Sequence, residues 1–187
     1  MSLDAIQTFA LPGVVLVRPP VYRDARGSLS PWFEAPRDAA AGWPEVVQVN
    51  HVRSAGGVLR GLHWQWTRPQ AKVVRVLRGA ILDVVVDLDP ASPTYRGHVA
   101  VHLDAATDAQ LVVPAGYAHG YVVLSDDGAE VLYGLDAPYD PAGAAGVRWD
   151  DPGLGIRWGV ARPLLSAADA AWPSLDALDP ASLPRRP

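Results

Sequence analysis

Lys72-Val73-Val74-Arg75-Val76-Leu77-Arg78-Gly79-Ala80-Ile81-Leu82-Asp83-Val84-Val85-Val86-Asp87-Leu88-Asp89-Pro90 is the stretch that decides the fold class. In its first half Lys72, Val74 and Val76 share one face, opposite Val73, Arg75 and Leu77, which is the two-residue period of a strand. Arg78-Gly79 turns the chain, Ala80 to Leu88 reads as a second strand rich in β-branched residues, and Asp89-Pro90 ends it. The same grammar extends both ways. Upstream, Val58 to Trp66 is a strand preceded by a Gly56-Gly57 turn. Before that turn a strand starting near Val46 presents Gln48 and Asn50 on one face and Val47, Val49 and His51 on the other. Downstream, Val99, Val101 and Leu103 alternate with polar or small residues, and Gln110 to Val113 stops at Pro114. Tyr121 to Leu124 and Ala129 to Leu135 flank Ser125-Asp126-Asp127-Gly128, which reads as a hairpin turn of type I′.

Short strands separated by Gly, Pro and Asp turns predict an all-β, antiparallel sandwich or barrel, most simply a jelly roll. Residues 1–44, punctuated by Pro12-Gly13, Pro19-Pro20, Arg26-Gly27 and Pro31, read as an extended N-terminal arm with one or two edge strands. The jelly-roll core is expected over 45–160 and a C-terminal helix and tail over 161–187. The helical pattern covers Ser166 to Leu178, with Ser166 as N-cap, Asp169 three residues later and Pro173 as a breaker. No internal repeat or linker divides the chain, so one domain is expected over 1–187.

Composition narrows the function classes. The 187 residues carry 16 Lys+Arg against 20 Asp+Glu, a net charge of −4, with 49% apolar residues. That suits a single substantial core. A small acidic balance without blocks of like charge argues against a nucleic-acid partner, although a few arginines still suffice to hold a phosphate. The absence of cysteine excludes disulfides, thiolate zinc sites and a cysteine nucleophile. Apolar runs such as Val14 to Val17 fall far short of the ~20 residues of a membrane helix. The N-terminus lacks a basic segment followed by an apolar signal core, so a soluble cytoplasmic protein is expected. With 18 Pro and 17 Gly, long helices are disfavoured, since Pro costs about 3 kcal/mol in a helix interior.

Four residues stand out as candidates for chemistry. His63 lies on a strand in Arg60-Gly61-Leu62-His63-Trp64-Gln65 and reads either as a satisfied structural histidine or as a base. Lys72 is the one lysine in a chain that otherwise uses 15 arginines, which points to a place where a compact ammonium serves and a planar guanidinium does not. His119, in Pro114-Ala115-Gly116-Tyr117-Ala118-His119-Gly120, follows a tight turn that aims it at a barrel mouth, or else satisfies buried backbone groups. Asp169 is a candidate carboxylate to orient a histidine base. A metal-binding jelly roll puts two histidines one residue apart on a strand and adds a carboxylate. Here Gln65 holds the second position and no Glu occurs between Glu45 and Glu130, so a metal-free site is expected. A metal-free His, Lys and Tyr set is equipment for removing a proton beside a ketone and returning one from the opposite face.

Several blocks carry a family resemblance: Gly57-Val58-Leu59-Arg60-Gly61-Leu62-His63-Trp64-Gln65, Val76-Leu77-Arg78-Gly79 with Asp83 to Leu88, Ser92-Pro93-Thr94-Tyr95, Pro114 to Gly120, and Trp149-Asp150-Asp151-Pro152. Together, and in this order, they closely resemble the dTDP-4-dehydrorhamnose 3,5-epimerases, from about Gln48 to Asp169. The resemblance implies a cupin jelly roll, a homodimer with exchanged N-terminal strands, no metal or other cofactor, and a dTDP-4-keto-6-deoxyhexose substrate. By position, His63 resembles the general base paired with Asp169, Lys72 the stabiliser of the enolate oxygen and Tyr133 the acid on the other face. His119 and Tyr139 correspond to walls of the sugar pocket. Arg60, Gln48 and Asn50 correspond to diphosphate ligands, with Arg26 reaching in from the partner subunit.

The chain departs from the family in the arm, where Leu29 stands for a base-contacting aromatic and Pro31 for an acid. Gly134 follows Tyr133 where a Lys is common, and Val52 replaces a Ser. The reading is therefore a cofactor-independent 3,5-epimerase of deoxysugar biosynthesis. The alternatives are a 3-only or 5-only epimerase of a related nucleotide-linked 4-keto-6-deoxy sugar, a non-catalytic nucleotide-sugar-binding cupin, and, disfavoured by Gln65, a metal-dependent cupin.

Overall fold

Two antiparallel sheets face each other. The computed structural model describes residues 6–186, so the first five residues of the expected arm and the last of the tail lie outside the described residues. The strands are β1 (Ile6–Thr8), β2 (Val15–Val17), β3 (Tyr22–Asp24), β4 (Gly27–Leu29), β5 (Gln48–Ser54), β6 (Leu59–Gln65), β7 (Lys72–Arg78), β8 (Ala80–Val86), β9 (His98–Asp104), β10 (Gln110–Val113), β11 (Ala118–Val123), β12 (Ala129–Leu135) and β13 (Ala144–Gly146). Two short helices join them, α1 (Ala35–Ala40) and α2 (Ala167–Ala171). One sheet runs β1-β2-β10-β7-β12-β5, the other β13-β6-β11-β8-β9, and β3-β4 form a separate two-stranded ribbon. This is the jelly-roll sandwich expected from the strand and turn pattern. Among the described residues no helix is long and apolar enough to cross a membrane.

The pattern of burial explains why some strands alternate and others do not. Strand β9 buries Val99, Val101 and Leu103 and exposes His98, Ala100 and His102, as a strand with one solvated face should. Strand β11 is buried throughout. On its inner side Tyr121 and Val123 join Val74, Val76, Val85, Leu111 and Val131 in the core between the sheets. On its outer side Val122 packs with Leu59, Trp64 and Val84 beneath Leu154, Trp158, Leu175 and Leu183 of the C-terminal segment. Each such side chain taken from water contributes about 1.5–3 kcal/mol. A third cluster covers the outer face of the larger sheet, where Trp43 and Ala41 lie on Val17, Val73 and Val112.

Two expectations change. Ser125 to Gly128 is not a hairpin, because β11 and β12 belong to different sheets; the four residues have the chemistry of a turn, but the chain uses them to cross the sandwich. The arm supplies edge strands, as its sequence suggests: β2 pairs with β10 and β1 with β2 at one side of the six-stranded sheet. The helix expected over Ser166 to Leu178 is confined to Ala167–Ala171. Pro173 disfavours helical backbone at Trp172, which is extended with ψ 138°.

Three crossings between the sheets, at Ala55 to Val58, at Gly79 and at Leu124 to Gly128, stack at one end. Gly79 has φ +73°, and a Cβ there would run into the Gly128 carbonyl oxygen; a Cβ at Gly56 would lie 2.5 Å from the Asp126 oxygen. Backbone packed on backbone closes this end and leaves no room for a side chain. Gly79→Ala should therefore cost at least about 2 kcal/mol in urea unfolding, from strain plus clash, whereas Gly155→Ala, at φ +61° with open space around it, should cost about 1 kcal/mol. Equal costs would show that the crossing is not tightly packed.

Candidate active site

Strand register brings the candidate residues onto two facing surfaces. In the larger sheet Leu135 pairs with both Gln48 and Lys72, and Tyr133 with both Asn50 and Val74. Directly paired residues share a face, and Val74 belongs to the inner core. Gln48, Asn50, Lys72 and Tyr133 are thus inner-face residues. In the other sheet His119 pairs with His63 and Val85, and Tyr121 with Arg60 and Asp83; Val85 and Tyr121 line the same core. His63, His119 and Asp83 therefore look across the sandwich toward Lys72 and Tyr133.

Between His119 and Tyr121 the β6–β11 register shifts. A Cβ on Gly61 would sit 2.6 Å from the Gly120 Cα, so the two strands touch through bare backbone there and the irregularity re-aims Arg60. The Arg60 guanidinium Nε donates to Ser54 Oγ at 3.1 Å, tying β6 to β5, the edge strand of the opposite sheet.

Each histidine is held by a carboxylate. His63 Nε2 is hydrogen-bonded to Asp169 Oδ1, Asp169 Oδ2 accepts from Ser166 Oγ at 2.8 Å, and Ser166 Oγ accepts the Asp169 N–H at 3.0 Å. The N-cap serine thus fixes both the helix start and the carboxylate. Burial pushes the Asp169 carboxyl up, but hydrogen bonds from His63, Ser166 and the Gly61 N–H outweigh it, and its pKa lies below the ordinary value. With Nε2–H donated to this carboxylate, the lone pair of a neutral His63 ring is on Nδ1. The Trp172 ring stands edge-on to His63 at 6.0 Å between centroids. His119 Nε2 lies 2.8 Å from Asp83 Oδ1, and Asp83 is 0% exposed, its second oxygen without a hydrogen-bond partner among the described residues.

Lys72 faces these groups as an ammonium under pressure. Burial lowers its pKa from 10.5 to about 8, and the charges of Asp136 and Asp83 hold it from falling further. Tyr121 is likewise pushed up by burial against the hydrogen bond from Ser54.

The structure brings together His63, Asp169, Lys72, Tyr133, His119, Gln48, Asn50 and Arg60. Gln48 Nε2 donates to Asn50 Oδ1 at 2.8 Å, and the Tyr139 N–H reaches Gln48 Oε1 at 3.4 Å; Tyr139 is at the rim, 57% exposed. Arg26 is not brought to this site by its own chain. It sits on the β3–β4 ribbon, bonded to Asp24 at 2.5 Å and 90% exposed. Sequence reasoning missed Asp83, Asp136 and Trp172. The signal for Asp83 was an acid in the otherwise apolar run Ala80 to Val86, where a buried charge demands a partner. Among the described residues no group of three or more His, Asp or Glu side chains converges to hold a metal ion.

The sequence model of the dTDP-4-dehydrorhamnose 3,5-epimerase family matches residues 8–177. The chain is 43% identical over 163 residues to the dTDP-4-dehydrorhamnose 3,5-epimerase of Pseudomonas aeruginosa, covering 86% of this chain and 90% of that one. It is 42% identical over 177 residues to the enzyme of the same name from Neisseria gonorrhoeae, covering 90% of this chain; it spans about half, 52%, of that relative's length. Among solved structures it is similar to a dTDP-6-deoxy-D-glucose-3,5-epimerase of Legionella pneumophila Philadelphia 1 in complex with dTDP-4-keto-L-rhamnose. There the TM-score is 0.92 at 36% identity, covering 97% of this chain and 98% of that one. On its motifs, its fold and these matches together, the chain belongs to the dTDP-4-dehydrorhamnose 3,5-epimerase family.

Proposed function

We infer that this chain inverts carbons 3 and 5 of dTDP-4-dehydro-6-deoxy-D-glucose to give dTDP-4-dehydro-L-rhamnose, without cofactor. The observation that carries this reading is the placement of His63 and Tyr133 on the inner faces of opposing sheets. Inversion needs a base on one side of a carbon and an acid on the other. His63 Nδ1 takes the proton from the carbon beside the ketone, Asp169 stabilises the imidazolium that forms, and the electron pair passes to the ketone oxygen as an enolate. Lys72 meets that oxygen with its ammonium. The Tyr133 hydroxyl delivers a proton from the far side, and solvent returns one to the phenolate and takes one from His63. Arg60, Gln48 and Asn50 line the edge where the diphosphate lies, with a guanidinium fork suited to phosphate. His119, fixed by Asp83, and Tyr139 border the sugar.

The chain acts as a homodimer in this reading. Among the described residues strand β5 has one neighbour in its sheet, its outer residue Val49 and Val47 just before it are exposed, and the ribbon bearing Arg26 pairs within itself. These features support an exchanged arm that delivers Arg26 to the partner's site. The cytoplasm, where nucleotide-linked sugars are made, is the proposed compartment.

Proton NMR of dTDP-4-keto-6-deoxyglucose with the protein in heavy water tests the function. Solvent deuterium should enter at carbons 3 and 5 and fail to enter with His63→Ala. Exchange at carbon 3 or carbon 5 alone would mean the narrower enzyme, and none at either would leave a binding protein. A second expectation concerns pH. Because the Lys72 ammonium is lost as the pH rises through about 8, kcat/KM should fall on that side. Lys72→Arg should be slower by at least about tenfold and lack this limb, since a guanidinium does not titrate there. A limb unchanged in the variant would remove Lys72 from the mechanism.

A further inference from the structure

The strongest unassigned feature beside the site is the Trp172 indole. It follows α2 directly, three residues after Asp169, and is turned into extended backbone before Pro173. Its ring stands against His63 at 64° and 6.0 Å. On the neighbouring strand Gly146 pairs with His63, and a Cβ at Gly146 would lie 2.5 Å from Trp172 Cε2 and 2.7 Å from Cδ2. The indole therefore lies on bare β13 backbone at the position flanking the imidazole. Its Nε1 is buried without a hydrogen-bond partner among the described residues. A residue present only to fill space would be better served by a ring with no donor.

We propose that Trp172 is a positioning residue for His63: the indole fixes the imidazole rotamer and keeps water away from the His63–Asp169 hydrogen bond. The same short segment, Ser166 to Trp172, then supplies both restraints on one ring, a carboxylate on Nε2 and an aromatic wall at its side. Fixing the ring matters because Nδ1 must meet the substrate carbon along one line, and a base misplaced by about 1 Å costs on the order of a hundredfold in rate. The inference rests on the reading of His63 as the base.

The test pairs kinetics with a spectroscopic signature. In proton NMR of the substrate-free protein, the His63 Nε2–H should give a low-field imidazole resonance, identified by its absence in His63→Asn. That resonance should persist in Trp172→Phe and be lost to solvent exchange in Trp172→Leu and in Gly146→Ala, which displaces the indole without removing it. In deuterium exchange at carbon 3, Trp172→Leu and Gly146→Ala should lose at least about tenfold in kcat with KM within about twofold, and Trp172→Phe should stay near wild type. A folded Trp172→Leu or Gly146→Ala variant that keeps both the resonance and kcat would overturn the proposal, as would equal losses in the Phe and Leu variants. If the wild type exchanges no substrate proton, the epimerase reading fails, while the resonance arm still decides whether Trp172 shields the dyad.

Discussion

Burial of the Lys72 ammonium between two sheets is the constraint on which the site depends. Its pKa, brought from 10.5 to about 8, corresponds to a penalty of roughly 3 kcal/mol on the charged form. The penalty is full below pH 8 and fades as the pH rises toward 10.5, because there the unfolded chain holds a proton that the folded chain has released. What keeps the charge in place is its surroundings. Asp83, fully buried and with one oxygen lacking a hydrogen-bond partner among the described residues, and Asp136 supply the opposing field. Two buried charges of opposite sign each lower the cost of keeping the other. An ammonium held in this way has spare capacity to stabilise new negative charge, which is what the enolate oxygen of the proposed reaction would bring.

That arrangement needs walls that do not yield. The glycine-packed crossings hold the two sheets together at one end, and the C-terminal segment covers the outer face of β6, β8 and β11. Pinned in this way, the inner faces keep His63 and His119 opposite Lys72 and Tyr133. The histidines are not left to choose their orientation, since each is hydrogen-bonded through Nε2 to a carboxylate that is itself buried. The site is prepared by packing before any ligand arrives, so the reaction has little reorganisation to drive.

Much of this was legible in the sequence. The two-residue periods at Lys72 to Leu77 and Val99 to Leu103 announce strands, and Lys72 announces itself as the one lysine among many arginines. Other features were hidden for physical reasons. Whether Ser125 to Gly128 turns back within a sheet or crosses to the other depends on long-range pairing, which local turn chemistry does not encode. Asp83 is one of 17 aspartates, and only the long-range β8–β11 pairing, which sets it opposite Tyr121, brings its carboxylate to His119 on the same face. Trp172 is one of seven tryptophans, and its place beside His63 follows from where Pro173 ends α2. Arg26 is a case of a different kind, since its own chain leaves it exposed on a ribbon.

The central claim is that proton removal and proton return come from opposite sheets, so the two should separate when one side is disabled. The direct measurement follows Tyr133→Phe in heavy water with the 4-keto sugar, recording deuterium uptake and inversion at the same carbon in the same sample. The account predicts that uptake continues through His63 and Lys72 while inversion falls by at least about a hundredfold. Loss of uptake and inversion in equal measure, or inversion at the wild-type rate, would contradict it.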